Sequence, residues 1–120
     1  MPVTAKRAQE LALALENTSS YSHFDRLAFR TPRRTFATLA RSGEDLNLML
    51  DLAQQKHFCG SAPHALAPVA GGWGRMGWTR CELRAVDAAT FKAALAAAHA
   101  LANAPPPKRT RKKAARARRG

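Results

Sequence analysis

The sequence holds no apolar run near the ~18 residues that a membrane-spanning helix needs, so no span is expected. Residues 1–10 carry Lys6 and Arg7 with no long apolar stretch behind them, which argues against a secretory signal and makes a cytoplasmic address the expectation. Cysteine is scarce. Cys59 and Cys81 stand 22 positions apart, outside any C-x-x-C pair, so a disulfide framework is not indicated and both read as small apolar residues. The four histidines, His23, His57, His64 and His99, are scattered without zinc-ligand spacing, so no metal is expected. No G-x-S-x-G elbow, P-loop or Rossmann glycine pattern occurs, and no nucleophile has an evident activating partner; the expectation is a non-enzymatic protein without a cofactor. Acidic residues are few as well: eight against twenty basic ones, a formal net charge of +12 over 120 residues.

What is present fits one domain and a tail. With 46% apolar residues the chain can build a core. Ala8, Leu11, Ala12 and Leu15 recur at helical spacing behind a capping Thr4, which predicts a helix over 4–15. Residues 16–20 read as a loop. Two strands follow at 23–30 and 35–39, joined by a Thr31-Pro32-Arg33-Arg34 turn. Leu27 and Phe29 point to one face of the first, and Phe24, Arg26 and Arg30 to the other. In the second, Ala37 and Leu39 oppose Phe36 and Thr38. Leu46, Leu48 and Leu50 alternate with Asn47 and Met49 in a third strand, and Asp51 caps a short helix to about Cys59. Strands at 64–69 and 79–83 flank the glycine- and tryptophan-rich segment 71–78. Asp87 caps a last helix to about Asn103, with Phe91, Leu95, Ala98 and Ala102 on one stripe. Short turns between neighbouring strands imply an antiparallel sheet with helices on one side, an α+β fold.

Residues 105–120 form a second regime. Pro105-Pro106-Pro107 stops the helix, and the remainder has no large apolar residue, so this tail is expected to be disordered. It holds eight of the basic residues, Lys108, Arg109, Arg111, Lys112, Lys113, Arg116, Arg118 and Arg119, and no acidic one. Residues 1–104 keep twelve basic and eight acidic side chains, a net of +4.

Three stretches carry a resemblance: His23-Phe24-Asp25-Arg26-Leu27-Ala28-Phe29-Arg30, then Phe36-Ala37-Thr38-Leu39, and above all Gly71-Gly72-Trp73-Gly74-Arg75-Met76-Gly77-Trp78-Thr79. In order and spacing the chain resembles the MmcQ/YjbR-like family over roughly residues 5–104. The resemblance implies a CyaY-like fold: a curved antiparallel sheet with N- and C-terminal helices packed on one face. It also implies a proposed double-wing mode of DNA binding through β-hairpins. The chain departs from the family pattern at Asp25-Arg26-Leu27, where a Gly and a Pro are common, and in its basic tail. Frataxins share the CyaY-like fold and bind iron through an acidic first helix. The first helix here has Lys6 and Arg7 beside Glu10 and Glu16, so iron chemistry does not carry over.

The candidate contacts are cationic. The tail can neutralise phosphates and release counterions without reading sequence, and its composition does not separate DNA from RNA. Its bland alternative is a solubilising segment. Arg26, Arg30, Arg33 and Arg34 form a basic wing, unless Asp25 and Glu44 pair with them. Trp73 and Trp78 either stack on unpaired bases, with Arg75 and Arg80 holding the backbone, or pin a tight hairpin to the core; the second reading is favoured. The expected function is therefore DNA binding by basic hairpins and tail. The alternative is a protein-interaction or small-ligand module with an incidental tail. A continuous arginine stripe from Arg26 to Arg75 favours the first, and a concave apolar pocket on the sheet the second.

Overall fold

Three helices begin in the same way, on a short oxygen-bearing side chain that accepts from the backbone three residues ahead. Thr4 accepts from Arg7 N at 3.0 Å, Asp51 from Gln54 N at 2.7 Å and Asp87 from Thr90 N at 2.8 Å. A computed structural model describes residues 3–104. In chain order these form α1 (Ala5–Leu13), β1 (Ser19–His23), β2 (Arg26–Arg30), β3 (Thr35–Ala40), β4 (Asp45–Met49), α2 (Leu52–Ser61), β5 (Leu66–Pro68), the one-turn α3 (Gly72–Arg75), β6 (Trp78–Glu82) and α4 (Ala88–Asn103). The expected tail at 105–120, with its eight cations, lies outside the described residues. No helix among the described residues is long and apolar enough to cross a membrane.

Asp87 adds a pH dependence to its cap. The amide and the hydroxyl of Thr90 both donate to its carboxylate and hold its pKa below the usual aspartate value. Stabilisation by this carboxylate is therefore present above about pH 4, the unfolded-chain value, and is lost as pH falls through the lower folded value. Asp87→Asn keeps a capping oxygen but cannot titrate. Its melting temperature is expected to fall less steeply than that of the parent on acidification below about pH 4; parallel acid limbs would contradict the assignment.

The six strands pair antiparallel in the order β1-β2-β3-β4-β6-β5, which gives the expected α+β architecture. Alternation decides which side chains enter the core. Leu27, Leu39, Leu46, Cys81 and Leu66 are aligned across five strands on the inner face. There α4 crosses β3 and β4, burying Phe91, Ala94, Leu95, Ala98 and Ala102, and α1 adds Ala8 and Ala12. Burial pushes the Cys81 thiol up to about 12. On the other face Tyr21, Ala28, Thr38, Asn47, Arg80 and Ala67 stand in one row across all six strands.

The structure corrects several local expectations. Residues 23–30 are not one strand: Phe24 and Asp25 turn the chain, with Phe24 at φ 57°, and His23 faces Arg26. The partner strand β1 begins at Ser19, inside the segment read as a loop. An exposed edge strand needs no apolar alternation to announce it. Phe36 does not oppose Ala37. The register slips between Phe29 and Arg30, making Phe36 the extra residue of a bulge, and both Phe36 and Ala37 enter the core. There the Phe36 ring meets His99 of α4 edge-on, with centroids 5.4 Å apart. The 71–78 segment forms α3 rather than a tight hairpin, and β6 starts one residue early, at Trp78.

β5 is shorter than expected, and its outer edge has a particular chemistry. Ala65 O accepts from Glu82 N, and Val69 N donates to Trp78 O, so Leu66 and Pro68 are the residues directed away from β6. Leu66 N–H is taken by Ala62 O at 2.9 Å, and proline has no N–H.

Candidate nucleic-acid interface

The helices leave one sheet face open, and this face is a trough. A cavity of about 260 Å³ is lined by His23, Arg26, Thr38, Asn47, Val69, Trp73 and Trp78. Both ends are aromatic. On the β1 side the His23 ring meets Phe24 at 4.9 Å and Tyr21 at 6.1 Å. On the other side Trp73 and Trp78 meet edge to face, with centroids 6.3 Å apart. Four inter-strand spacings separate β1 from β6, roughly 19 Å.

Two glycines set the Trp73 wall in place. α3 lies so close to neighbouring backbone that a Cβ on Gly74 would overlap the carbonyl of Val69, and one on Gly77 the carbonyl of Leu50. The Gln55 side-chain amide clamps the turn from α2, donating to Gly74 O at 2.8 Å and Trp78 O at 3.1 Å. The two tryptophans consequently divide the roles offered to them. Trp78 is half-buried against the core, whereas Trp73 is 62% exposed.

The candidate arginines also divide. Arg26 is fixed by Thr38, from Nε to Oγ1 at 2.9 Å and from Nη2 to the carbonyl oxygen at 2.8 Å, and it pairs with Asp45 at 2.6 Å. Arg80 reaches the other Asp45 oxygen at 3.2 Å and also bonds Glu82. Contact with Glu82, then the nearby Asp45 charge, raises the Arg80 pKa further. Asp45, rather than Asp25 or Glu44, is thus the counter-ion of Arg26 in the wing, and the arginine stripe is broken by acidic groups at its middle. Arg30, Arg33, Arg34 and Arg75 make no ion pair among the described residues. Arg30 lies over the Tyr21 ring, 6.0 Å from its centroid. Arg33 and Arg34 project from a turn pinned by Thr31, whose hydroxyl accepts from both their amides at 3.2 Å. The register puts this turn and the start of β6 at the same end of the sheet, so the cationic tip and the Trp73–Arg75 wall flank one end of the trough.

His23, Thr38, Asn47 and Val69 were not marked as site residues by the sequence. A polar Asn47 on the outward side of a central strand is the one signal that could have found them. Among the described residues no histidine side chain bonds a carboxylate; His99 Nε2 meets the Glu16 backbone oxygen at 2.7 Å. Among the same residues no three His, Cys, Asp or Glu side chains are grouped to hold an ion.

No family model matches the sequence, and no curated protein shows significant similarity to it. Among solved structures the fold is similar to the crystal structure of the Deinococcus radiodurans protein DR2400, a DUF419 domain. The TM-score is 0.68 at 17% identity, over 80% of this chain and 75% of that one. The likeness is one of fold.

Proposed function

We propose that the chain is a non-enzymatic, cytoplasmic member of the MmcQ/YjbR-like family that binds nucleic acid, DNA in the first instance. DUF419, the domain of the structural neighbour, is a YjbR/MmcQ-like family, which agrees with the three sequence stretches above. The observation that carries the functional reading is the open sheet face. Four arginines that make no ion pair among the described residues, Arg30, Arg33, Arg34 and Arg75, lie on the strand, turn and helix around a trough with aromatic ends. The β2–β3 turn and the β5–β6 connection are the two wings. Their arginines neutralise phosphates, and the eight cations of 105–120, which follow α4 in the sequence, add sequence-independent affinity.

A titration of duplex DNA, single-stranded DNA and RNA at two salt concentrations tests this, with the full chain and with a chain ending at residue 104. The shortened chain is expected to bind more weakly. Its log K against log salt plot is expected to flatten by up to about 7 for duplex DNA if all eight cations engage. Equal binding by both chains removes the tail from the mechanism, and no binding by the full chain at low salt ends the reading. The concave lining of the trough, with Arg26 and Arg80 neutralised, favours a second reading, a small-ligand module. Saturable binding of a small aromatic anion with no affinity for any polymer would establish it.

A further inference from the structure

We infer that the trough seats one unpaired nucleobase, so that single strands are bound through base faces as well as phosphates. This rests on the nucleic-acid reading and narrows it. The size of the space is the first reason. At about 260 Å³ it lies just under the ~300–1,000 Å³ of ordinary small-molecule sites, which suits one flat ring system. A stacked base pair offers only its edges to a protein, so a recessed site of this width admits a base only when its faces are free.

The lining supplies the chemistry such a ring requires. Trp73 offers a largely exposed indole, held by a backbone that Gly74, Gly77 and Gln55 fix, and every base has a face that can stack on it. Asn47 projects from the central strand β4 and makes no side-chain hydrogen bond to the described residues, although Arg26 and Thr38 beside it are bonded to each other. Its amide presents a donor and an acceptor side by side, the pattern that pairs with the N6 and N7 positions of adenine. The guanidinium of Arg26, tied at three points, is a fixed plate in the wall and not a mobile phosphate ligand. Phosphates flanking the seated base fall to Arg75 on α3 and to the Arg33–Arg34 turn, at the same end of the sheet.

The test uses the full chain and four fluorescent probes: a short adenine-rich DNA strand, the same strand with abasic sites, its duplex, and adenosine monophosphate. The intact strand is expected to bind 10–100-fold more tightly than the abasic strand of equal charge, the range of one stacked base. Trp73→Ala, at an exposed position, is expected to keep the cooperative thermal unfolding of the parent and to bring that ratio close to one. Asn47→Ala is expected to lower it about tenfold for adenine-containing strands. Equal affinity of the wild-type chain for intact and abasic strands overturns the base seat while leaving phosphate binding standing. Absence of binding to every polymer overturns both readings. Binding of the mononucleotide alone overturns the strand as occupant. A folded Trp73→Ala chain that keeps the full ratio overturns the role of the trough.

Discussion

Gly77→Ala is expected to destabilise the protein by about 3–5 kcal/mol, through backbone strain and overpacking acting together. Gly77 has φ 109°, a conformation that L side chains rarely adopt, and its Cβ would overlap the carbonyl oxygen of Leu50 with the carbonyl carbon only 2.9 Å away. Neither side can yield easily. Gly77 O accepts from Leu50 N at 3.2 Å and from the Thr79 hydroxyl at 3.0 Å, and Leu50 is buried. One residue on, Asp51 caps α2, so any retreat of Leu50 disturbs that helix start. Gly60→Ala in α2 is the control, because its Cβ meets nothing within 4 Å and alanine is the better helix former. Its melting in urea is expected to be unchanged or slightly later. A Gly77→Ala chain within about 1 kcal/mol of the parent, well below the strain and overlap costs, would contradict the close-approach argument.

Asp45→Ala is the second substitution with a large expected effect, a loss of about 2–4 kcal/mol. Its carboxylate side chain is only 8% exposed and joins β2 to β6 through Arg26, itself 22% exposed, and Arg80. Removing one partner of a fully buried pair costs about 3–5 kcal/mol, because the other charge is left uncompensated. Here Arg80 is half-exposed and can rehydrate, which lowers the figure. Arg26 keeps two bonds to Thr38 but loses its only counter-ion among the described residues. Asp45→Asn, which retains an acceptor oxygen, is expected to cost less. Pairing Asp45→Ala with Arg26→Met should recover part of the loss, since no buried charge then stands alone. Chemical denaturation of the four chains gives the cycle; strict additivity would mean that the pair does not couple. On the proposed function the same Asp45 variants release two arginines beside the trough, so a steeper salt dependence of nucleic-acid binding should accompany the lower stability.

The fold was legible wherever a local rule had a single outcome. The caps at Thr4, Asp51 and Asp87 and the Phe91–Ala102 stripe reappear in the structure, as do the inward Leu46 and Leu48, whereas Met49, expected opposite them, is buried too and Leu50 follows the strand's end. Failures fell where pairing overrode pattern. Ser19–His23 is strand because β2 provides a partner, and the exposed side chains of β1 show no periodicity to read. Phe36 turned inward through a bulge, which depends on two strands slipping by one residue and leaves no mark on either sequence alone. The site was half legible. Arg30, Arg33, Arg34 and Arg75 stand out on charge, but the neutralisation of Arg26 and Arg80 depends on Asp45, 19 positions beyond the first of them. Trp73 and Trp78 could not be separated by sequence because each follows a glycine. The backbone contacts of Gly74 and Gly77 are what expose one ring and half-bury the other.

The outer edge of β5 limits how copies of this chain could join. With Leu66 N–H given to Ala62 and Pro68 lacking one, that edge has no donor to offer an incoming strand. β1, exposed along its whole length, is the sheet's other border. A β-sheet with one pairable border can meet its own copy once, border to border, and both are then used up. Growth by strand addition stops at two chains, and open-ended fibres by that route are closed to the folded protein.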